Sequence, residues 1–252
     1  MKITALQTDI IWENVPANLT AYEQLLNHLP PTDLIVFPEM FSTGFSVGNP
    51  KIAETMDGKS VQWLQKTALE KQAAVVASIP ILENGKLFNR LFFCFPDGNF
   101  QTYDKQKLFV YSGENQHFTP GQKDLIITYR DWKIKFLICF DLRFPYLSQN
   151  YCKNGEYDYD VLIYIANFPQ SRSHHFKHLL IARAIENQAY VLGVNRIGKD
   201  GNNIAHNGLS MAIDFQGNIL SQAQENQVQF LDLILDKKSL QEYRIKFPFL
   251  CN

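Results

Sequence analysis

The stretch IKFLICFDLRFP, residues 134–145, decides how this chain is interpreted. Its first five residues are mostly apolar, which is typical of a strand buried on both faces, and Cys139 follows directly. A sharp turn after a buried strand exposes a side chain together with the next backbone N–H, and nucleophiles are often presented in this way. A single cysteine in such a place is more often an inert core residue, so the interpretation depends on other segments.

Two further segments carry a reactive side chain at the end of a strand-like run. The segment LIVFPE, residues 34–39, ends in Glu39, and YDKQKL, residues 103–108, contains Lys105. Hydrolysis of an amide by a thiol needs a base for the thiol proton and positive charge for the developing oxyanion. Glu39, Lys105 and Cys139 would supply these groups if they meet in one site.

The rest of the chain alternates short strand-like runs with amphipathic helical patterns. Asn84-Gly85 and Asp97-Gly98 predict tight hairpins, and such turns imply antiparallel pairs within a mixed sheet. Helices are predicted over residues 17–29, 60–71, 173–188 and 239–247. No linker rich in Pro, Gly or Ser divides the 252 residues, so we expect a single domain over residues 1–252.

The ordered set of Glu39, Lys105 and Cys139 resembles the nitrilase (carbon–nitrogen hydrolase) superfamily. Residues 182–190 (ARAIENQAY) and 193–198 (GVNRIG) look like its omega-amidase branch. The resemblance implies an α+β fold of four layers, an α-β-β-α sandwich in which helices flank two mixed β-sheets. It also implies a homodimer or a higher homo-oligomer, because family members commonly pair through helices next to the active site.

The resemblance further implies a role for each site residue. Cys139 would be the nucleophile that forms a thioester, and Glu39 would be the general base. Lys105 and the backbone N–H of Phe140 would stabilise the oxyanion, and Glu114 would hold the lysine and the substrate amide. From the sequence alone, Glu114 could equally be a solvent-facing acid of its loop.

The residue at position 107 departs from the family pattern. Many relatives have His at the second position after the catalytic lysine, where this chain has Lys107. Lys105 matches the pattern Tyr-x-Lys and Lys107 does not, so the register assigns the catalytic role to Lys105.

Two arginines are candidates for binding a substrate carboxylate. Arg143 could form a bidentate contact with the carboxylate, or it could brace the turn through Asp141. Arg172 is a second candidate for the same role. Three aromatic residues are predicted to line the pocket, with ordinary core packing as the alternative for the last of them: Phe168, Tyr111 and Phe41.

These assignments predict hydrolysis of a small linear amide to a carboxylate and ammonia. The branch implies 2-oxoglutaramate and 2-oxosuccinamate as substrates. Hydrolysis of N-carbamoyl amines or N-carbamoyl amino acids, and nitrilase activity, remain alternatives within the superfamily. A scaffold or binding module without activity would be expected to lack one of Glu39, Lys105 and Cys139, and all three are present.

Composition limits the partners. A net charge of -1 gives no electrostatic footprint for nucleic acid or for a membrane surface. Met1-Lys2 leads directly into a strand-like run, and no CxxC or paired cysteine spacing is present, so we expect free thiols, no signal peptide and a cytoplasmic location. His174 and His178 have a metal-compatible spacing but no HExxH motif, so we expect neither a metal nor a cofactor.

Overall fold

The computed structural model describes residues 1–251 and contains two six-stranded sheets. The strands are β1 (Lys2–Gln7), β2 (Leu34–Val36), β3 (Ala74–Glu83), β4 (Lys86–Cys94), β5 (Phe100–Asp104), β6 (Ile126–Tyr129), β7 (Trp132–Ile138), β8 (Cys152–Lys153), β9 (Glu156–Tyr157), β10 (Val161–Ala166), β11 (Tyr190–Asn195), β12 (Ile197–Lys199), β13 (Ala205–Asn207), β14 (Met211–Ile213), β15 (Ile219–Gln222) and β16 (Gln229–Ile234). The helices are α1 (Val15–Leu26), α2 (Lys59–Lys71), α3 (Glu114–His117), α4 (Pro145–Ser148), α5 (Ser173–Asn187) and α6 (Lys237–Lys246).

Both large sheets are mixed. The first has the order β16-β1-β2-β3-β4-β5, and β2 runs parallel to both of its neighbours. The second has the order β15-β14-β11-β10-β7-β6, and β10 runs parallel to both of its neighbours. The hairpins predicted at Asn84-Gly85 and Asp97-Gly98 join β3 to β4 and β4 to β5 as antiparallel pairs. The predicted α+β fold with two mixed sheets and flanking helices is confirmed.

Alternating side chains of the first sheet enter two different hydrophobic clusters. Val76 and Phe93 belong to a cluster that also takes residues from the second sheet, whereas Val75 and Phe92 face α1 and α2. This alternation follows from the two-residue period of a strand and buries both faces of the sheet. The cluster shared by the two sheets supports the single domain predicted over residues 1–252. The domain bounds stay a prediction, and Asn252 lies outside the described residues.

A glycine allows α5 to pack closely on the second sheet. A Cβ atom placed on Gly193 of β11 would lie 2.3 Å from Cδ1 of Leu180 and 3.0 Å from Cζ of Phe176, both on α5. Any larger residue would push the helix away from the strand. The close packing fixes the start of α5, which follows the loop that lines one side of the cavity described below.

The expectation of four free thiols is wrong. Cys152 and Cys251 form a disulfide, with their Cα atoms 4.7 Å apart and a sequence separation of 99. Cys152 lies in β8, in the short hairpin of β8 and β9, and Cys251 lies near the end of the chain. Two cysteines so far apart in the sequence form no spacing pattern that would predict their pairing. Cys94 and Cys139 are the free cysteines of residues 1–251. The disulfide removes one reason for expecting a reducing compartment, so the location stays a prediction.

The element boundaries differ from the predicted ones at a few places. A turn at Gln170–Arg172 precedes α5, so Ser173 begins the helix rather than capping it. The loop over residues 107–122 contains a turn at Val110–Ser112 and the short helix α3. No helix within residues 1–251 is both long enough and apolar enough to cross a membrane.

Candidate active site

The predicted reactive residues converge because several strands end at the same edges of the two sheets. Glu39 follows β2 and Lys105 follows β5 in the first sheet. Cys139 follows β7 and Asn167 follows β10, its parallel neighbour in the second sheet. The carboxyl ends of parallel strands are where open sheets place their ligand sites. A cavity of about 200 Å³ lies there, and Lys105, Cys139 and Asn167 line it.

Cys139 occupies a strained backbone position. Its φ angle is +47°, in the left-handed region that residues other than glycine seldom adopt. It begins the 3₁₀ turn Cys139–Arg143 directly after β7. Strain of this kind costs about 1–3 kcal/mol, and other contacts must offset it.

Asp141 supplies such contacts. Its Oδ2 accepts hydrogen bonds from the Ile138 N–H at 2.9 Å and the Tyr103 hydroxyl at 2.8 Å, and its Oδ1 accepts one from the Lys107 N–H at 2.8 Å. Burial raises the pKa of Asp141 to about 6, although these donors act in the opposite direction. One buried carboxyl therefore joins the turn at Cys139 to the segment that carries Lys105. Arg143 does not brace Asp141, so that alternative is wrong.

Lys105 lies between two carboxylates. Its Nζ is 2.9 Å from Oε1 of Glu39 and 3.0 Å from both carboxylate oxygens of Glu114. All three side chains are completely buried. Burial alone would lower the pKa of Lys105, but Glu114, Glu39 and Cys139 together raise it, so the ammonium stays protonated.

Glu114 is not a solvent-facing acid. It begins α3 with its side chain fully buried, and its Oε2 accepts a hydrogen bond from the Phe109 N–H at 2.5 Å. Burial raises the pKa of Glu114, and Lys105 opposes that shift. The burial of Glu114 thus excludes its interpretation as a solvent-facing acid of the loop. Its role in turnover stays a prediction.

Glu39 has donors on both carboxylate oxygens. Oε1 accepts hydrogen bonds from Nζ of Lys105 and from Nδ2 of Asn89, at 2.9 and 2.8 Å. Oε2 accepts one from the Asn167 N–H at 2.9 Å. The segment of Asn167 and Phe168 was predicted to line the pocket, as it does, but the contacts of Asn89 and Asn167 with Glu39 were not predicted, because neither residue type has a reactive side chain.

The Cys139 thiol is protonated in the resting site. Burial and the negative charge of Glu39 raise the pKa of this thiol well above its usual value, while Lys105 and the Asn167 N–H act in the opposite direction. A base that removes the proton during the reaction is required, and Glu39 is the adjacent carboxylate.

Both candidate arginines lie at the cavity. Arg143 and Arg172 line it together with Phe168 and Phe140. Nη2 of Arg143 is 2.7 Å from Nδ1 of His175. The guanidinium of Arg172 lies 5.3 Å from the ring centroid of Phe109. This cavity wall is therefore cationic and aromatic, which suits a small anion with an apolar chain.

Two predicted wall residues lie elsewhere. Phe41 is fully buried against Tyr22, Phe37 and Trp63, in the cluster between the first sheet and its helices. The side chain of Tyr111 is 85% exposed and contacts Phe109 rather than the cavity. For Phe41 the alternative of ordinary core packing is therefore the one observed, whereas the prediction that Tyr111 lines the pocket is wrong. An aromatic residue that lines a pocket is not distinguishable in sequence from one that packs behind it.

The hairpin of β12 and β13 forms a wall that the sequence did not reveal. It contributes Asp200, Asn202, Ile204 and His206 to the cavity. Burial lowers the pKa of His206 to about 4, so this side chain is neutral near pH 7. The loop of this hairpin contains Asp200-Gly201, a turn dipeptide of the kind that marked the other two, but no strand was predicted on either side of it.

Lys107 and the histidine pair lie outside the cavity lining. Nζ of Lys107 is 5.3 Å from the ring centroids of both Phe144 and Tyr146. The rings of His174 and His178 are 4.1 Å apart on α5. Within the part of the chain that the structure describes, no group of three or more His, Cys, Asp or Glu side chains could hold a metal ion.

Comparisons with known proteins agree with this geometry. A family model described as carbon-nitrogen hydrolase matches residues 2–245. Omega-amidase YafV from Yersinia enterocolitica is 38% identical over 98% of this chain and 94% of its own length. 2-Oxoglutaramate amidase from Bacillus subtilis is 32% identical over 87% of this chain and 85% of its own length. A solved structure is also similar: XC1258 from Xanthomonas campestris, described as a CN-hydrolase superfamily protein with an arsenic adduct in the active site. The two chains superpose with a TM-score of 0.96 and are 35% identical, over 99% of this chain and 96% of that one. The family resemblance predicted from the sequence is confirmed.

Alkylation tests the assignment of the accessible thiol. We expect iodoacetamide to modify Cys139 in the native protein without reductant, because that residue lines the cavity. Cys94 is fully buried and does not line the cavity, so the reagent cannot reach it and it should stay unmodified until the protein unfolds. Peptide mass spectrometry measures both sites. Modification of Cys94 at an equal or greater rate would contradict the assignment.

Proposed function

Because this chain belongs to the carbon–nitrogen hydrolase family, we propose that it is an omega-amidase that hydrolyses the terminal amide of a small 2-oxo acid. Substrates of this class are 2-oxoglutaramate and 2-oxosuccinamate, and the products are the dicarboxylate and ammonia. The observation that carries the proposal is the buried ammonium of Lys105, held between Glu39 and Glu114 in the cavity that Cys139 lines.

The first half of the reaction forms a thioester. Glu39 takes the thiol proton as the sulfur of Cys139 forms a bond to the amide carbon, and the carbonyl electrons move onto oxygen. The ammonium of Lys105 and the Phe140 N–H stabilise that oxyanion, and such a donor is typically worth roughly 3 kcal/mol of barrier. Glu39 then returns the proton to nitrogen, the C–N bond breaks and ammonia leaves.

The second half hydrolyses the thioester. Glu39 removes a proton from water, the water oxygen bonds to the acyl carbon, and the C–S bond breaks. The sulfur regains its proton from Glu39, and the carboxylate product leaves. Lys105 keeps its charge throughout, in keeping with its raised pKa, and Glu114 supplies a second negative charge that does not have to carry the moving proton.

The cationic wall supports a substrate with a carboxylate at the far end. Arg143 and Arg172 both line the cavity, and Phe168 provides an apolar surface beside Arg143, with its ring centroid 5.9 Å from the guanidinium. A volume of about 200 Å³ suits a short linear substrate. Hydrolysis of N-carbamoyl compounds or nitriles uses the same reactive groups and remains the alternative within the family. The complete set of reactive residues argues against a scaffold without activity.

The proposed enzyme is a cytoplasmic homodimer or higher homo-oligomer with no nucleic-acid or membrane partner. Exposed apolar side chains lie near the cavity, on Val110 and Tyr111 in the segment before α3 and on Tyr146 in α4. Contact with a second copy would cover such side chains. The location and the assembly rest on the sequence predictions.

A substrate panel tests the proposed activity. We expect the purified protein to release ammonia from 2-oxoglutaramate without carbon dioxide, and to act far more slowly on N-carbamoyl amines and N-carbamoyl amino acids. Cys139→Ala should keep its circular dichroism spectrum and lose at least about a thousandfold in kcat, because the nucleophile is gone. Faster release of both gases from N-carbamoyl compounds would favour the alternative, and substantial activity of Cys139→Ala would exclude the thioester.

Glu114→Gln tests the second carboxylate. The substitution keeps the shape of the side chain and removes the charge that faces Lys105, so we expect kcat to fall about 10- to 1,000-fold, a larger effect than the accompanying loss of stability. Glu70→Gln is the control, because Glu70 pairs with Lys66 on the exposed face of α2. An unchanged rate in Glu114→Gln would show that the carboxylate serves the fold alone.

A further inference from the structure

Asn89 contacts both the acid and the amine segments of the site. It lies on β4 and is 1% exposed. Its Nδ2 donates a hydrogen bond to Oε1 of Glu39 at 2.8 Å, and its backbone oxygen accepts one from the Lys105 N–H at 3.0 Å. A single residue therefore sets the distance between the Glu39 carboxylate and the strand end that carries Lys105.

The next residue makes this position rigid. Arg90 forms a bidentate pair with Asp104, through Nε at 2.6 Å and Nη2 at 2.8 Å. Arg90 and Asp104 are also opposite each other in the antiparallel register of β4 and β5. Bidentate pairs fix geometry as well as adding energy, so Asn89 has little freedom to move relative to Lys105.

The donors around Glu39 are distributed unequally. Oε1 accepts from two groups, Nζ of Lys105 and Nδ2 of Asn89, and neither group gives up its hydrogen during turnover. Oε2 accepts only from the Asn167 N–H among the described groups. Asn167 follows β10 and Cys139 follows its parallel neighbour β7, and both residues line the cavity. Oε2 is therefore the oxygen on the sulfur side.

We infer that Asn89 is a positioning residue that determines which oxygen of Glu39 carries the mobile proton. With Asn89 and Lys105 both donating to Oε1, the proton that leaves the Cys139 sulfur must bond to Oε2, and the S–H electron pair stays on sulfur. From Oε2 the proton can pass to the leaving nitrogen. This inference rests on the proposed function, in which Glu39 is the general base.

A purely structural role fits Asn89 less well. Its Oδ1 is buried without a hydrogen-bond partner among residues 1–251, so only the donor side of the amide is used. Asn150 is a buried amide that uses both sides: Nδ2 donates to the backbone oxygens of Tyr159 and Asn187, and Oδ1 accepts from the Tyr159 N–H. A stabilising amide would be expected to resemble Asn150, because a buried acceptor without a partner is destabilising.

Asn89→Leu removes the donor and keeps the number of heavy atoms in the side chain. We expect kcat to fall about 10- to 100-fold with KM within about threefold of the wild type, as for a lost hydrogen bond to a charged group. The acidic limb of the kcat/KM profile should move up by about one pH unit, because an ionised carboxylate with one donor fewer accepts a proton at higher pH. Asn150→Leu is the control and should lower the melting temperature without moving that limb.

Asn89→Ala carries the same test if the leucine variant does not fold, since a methyl side chain has no hydrogen-bond donor. A folded Asn89 variant with an unmoved acidic limb and kcat within about twofold of the wild type would overturn the inference. An equal shift in Asn150→Leu would overturn it too, because the effect would then reflect stability in general. The assay uses any amide that the wild type hydrolyses, so an error in the proposed substrate leaves the test intact. Activity in Cys139→Ala would instead overturn the proposed function.

Discussion

The ammonium of Lys105, buried between two carboxylates, is the interaction on which the rest of the site depends. Removing a charged group from water costs several kcal/mol, and attraction to an opposite charge offsets this cost only where the geometry is close and further hydrogen bonds are made. Here the ammonium makes contacts of 2.9 and 3.0 Å with Glu39 and Glu114. Loss of either carboxylate would leave the buried charges poorly compensated.

This arrangement assigns a protonation state to each reactive group. The raised pKa of Lys105 keeps a permanent positive charge where an oxyanion would form, and the raised pKa of Cys139 keeps the thiol neutral until a base acts. One carboxylate can shuttle the proton because the other remains beside the ammonium. The strained turn at Cys139 and its connection through Asp141 place the sulfur relative to that pair. The fold thus provides electrostatic preorganisation, which is a large contribution to catalysis in many enzymes.

The strand ends and their reactive residues could be predicted from sequence because their signals are local. An apolar run followed by Glu39, Lys105 or Cys139 is visible without knowing what lies across the sheet. The resemblance supplied Glu114, although only the structure revealed that this side chain is buried. The pairing of Cys152 with Cys251 and the contact of Asn89 with Glu39 join distant segments, so no local pattern could predict them. The hairpin of β12 and β13 is local, and its Asp200-Gly201 turn was a usable signal that was not recognised. The locations of the Phe41 and Tyr111 rings could not be predicted for a related reason. Whether an aromatic ring faces a cavity or the core depends on which segments pack against it.

Cys139 should carry the acyl group as a thioester during turnover, and hydroxylamine can trap that acyl group. Hydroxylamine added during hydrolysis of the preferred amide competes with water for a thioester. A thioester on Cys139 should yield the hydroxamate, and ammonia release should not fall as the hydroxamate accumulates. After acid quenching, the peptide that contains Cys139 should show a mass increase equal to the acyl group. Turnover that yields neither a hydroxamate nor a mass increase on that peptide would mean that water attacks the amide directly, and it would contradict the account.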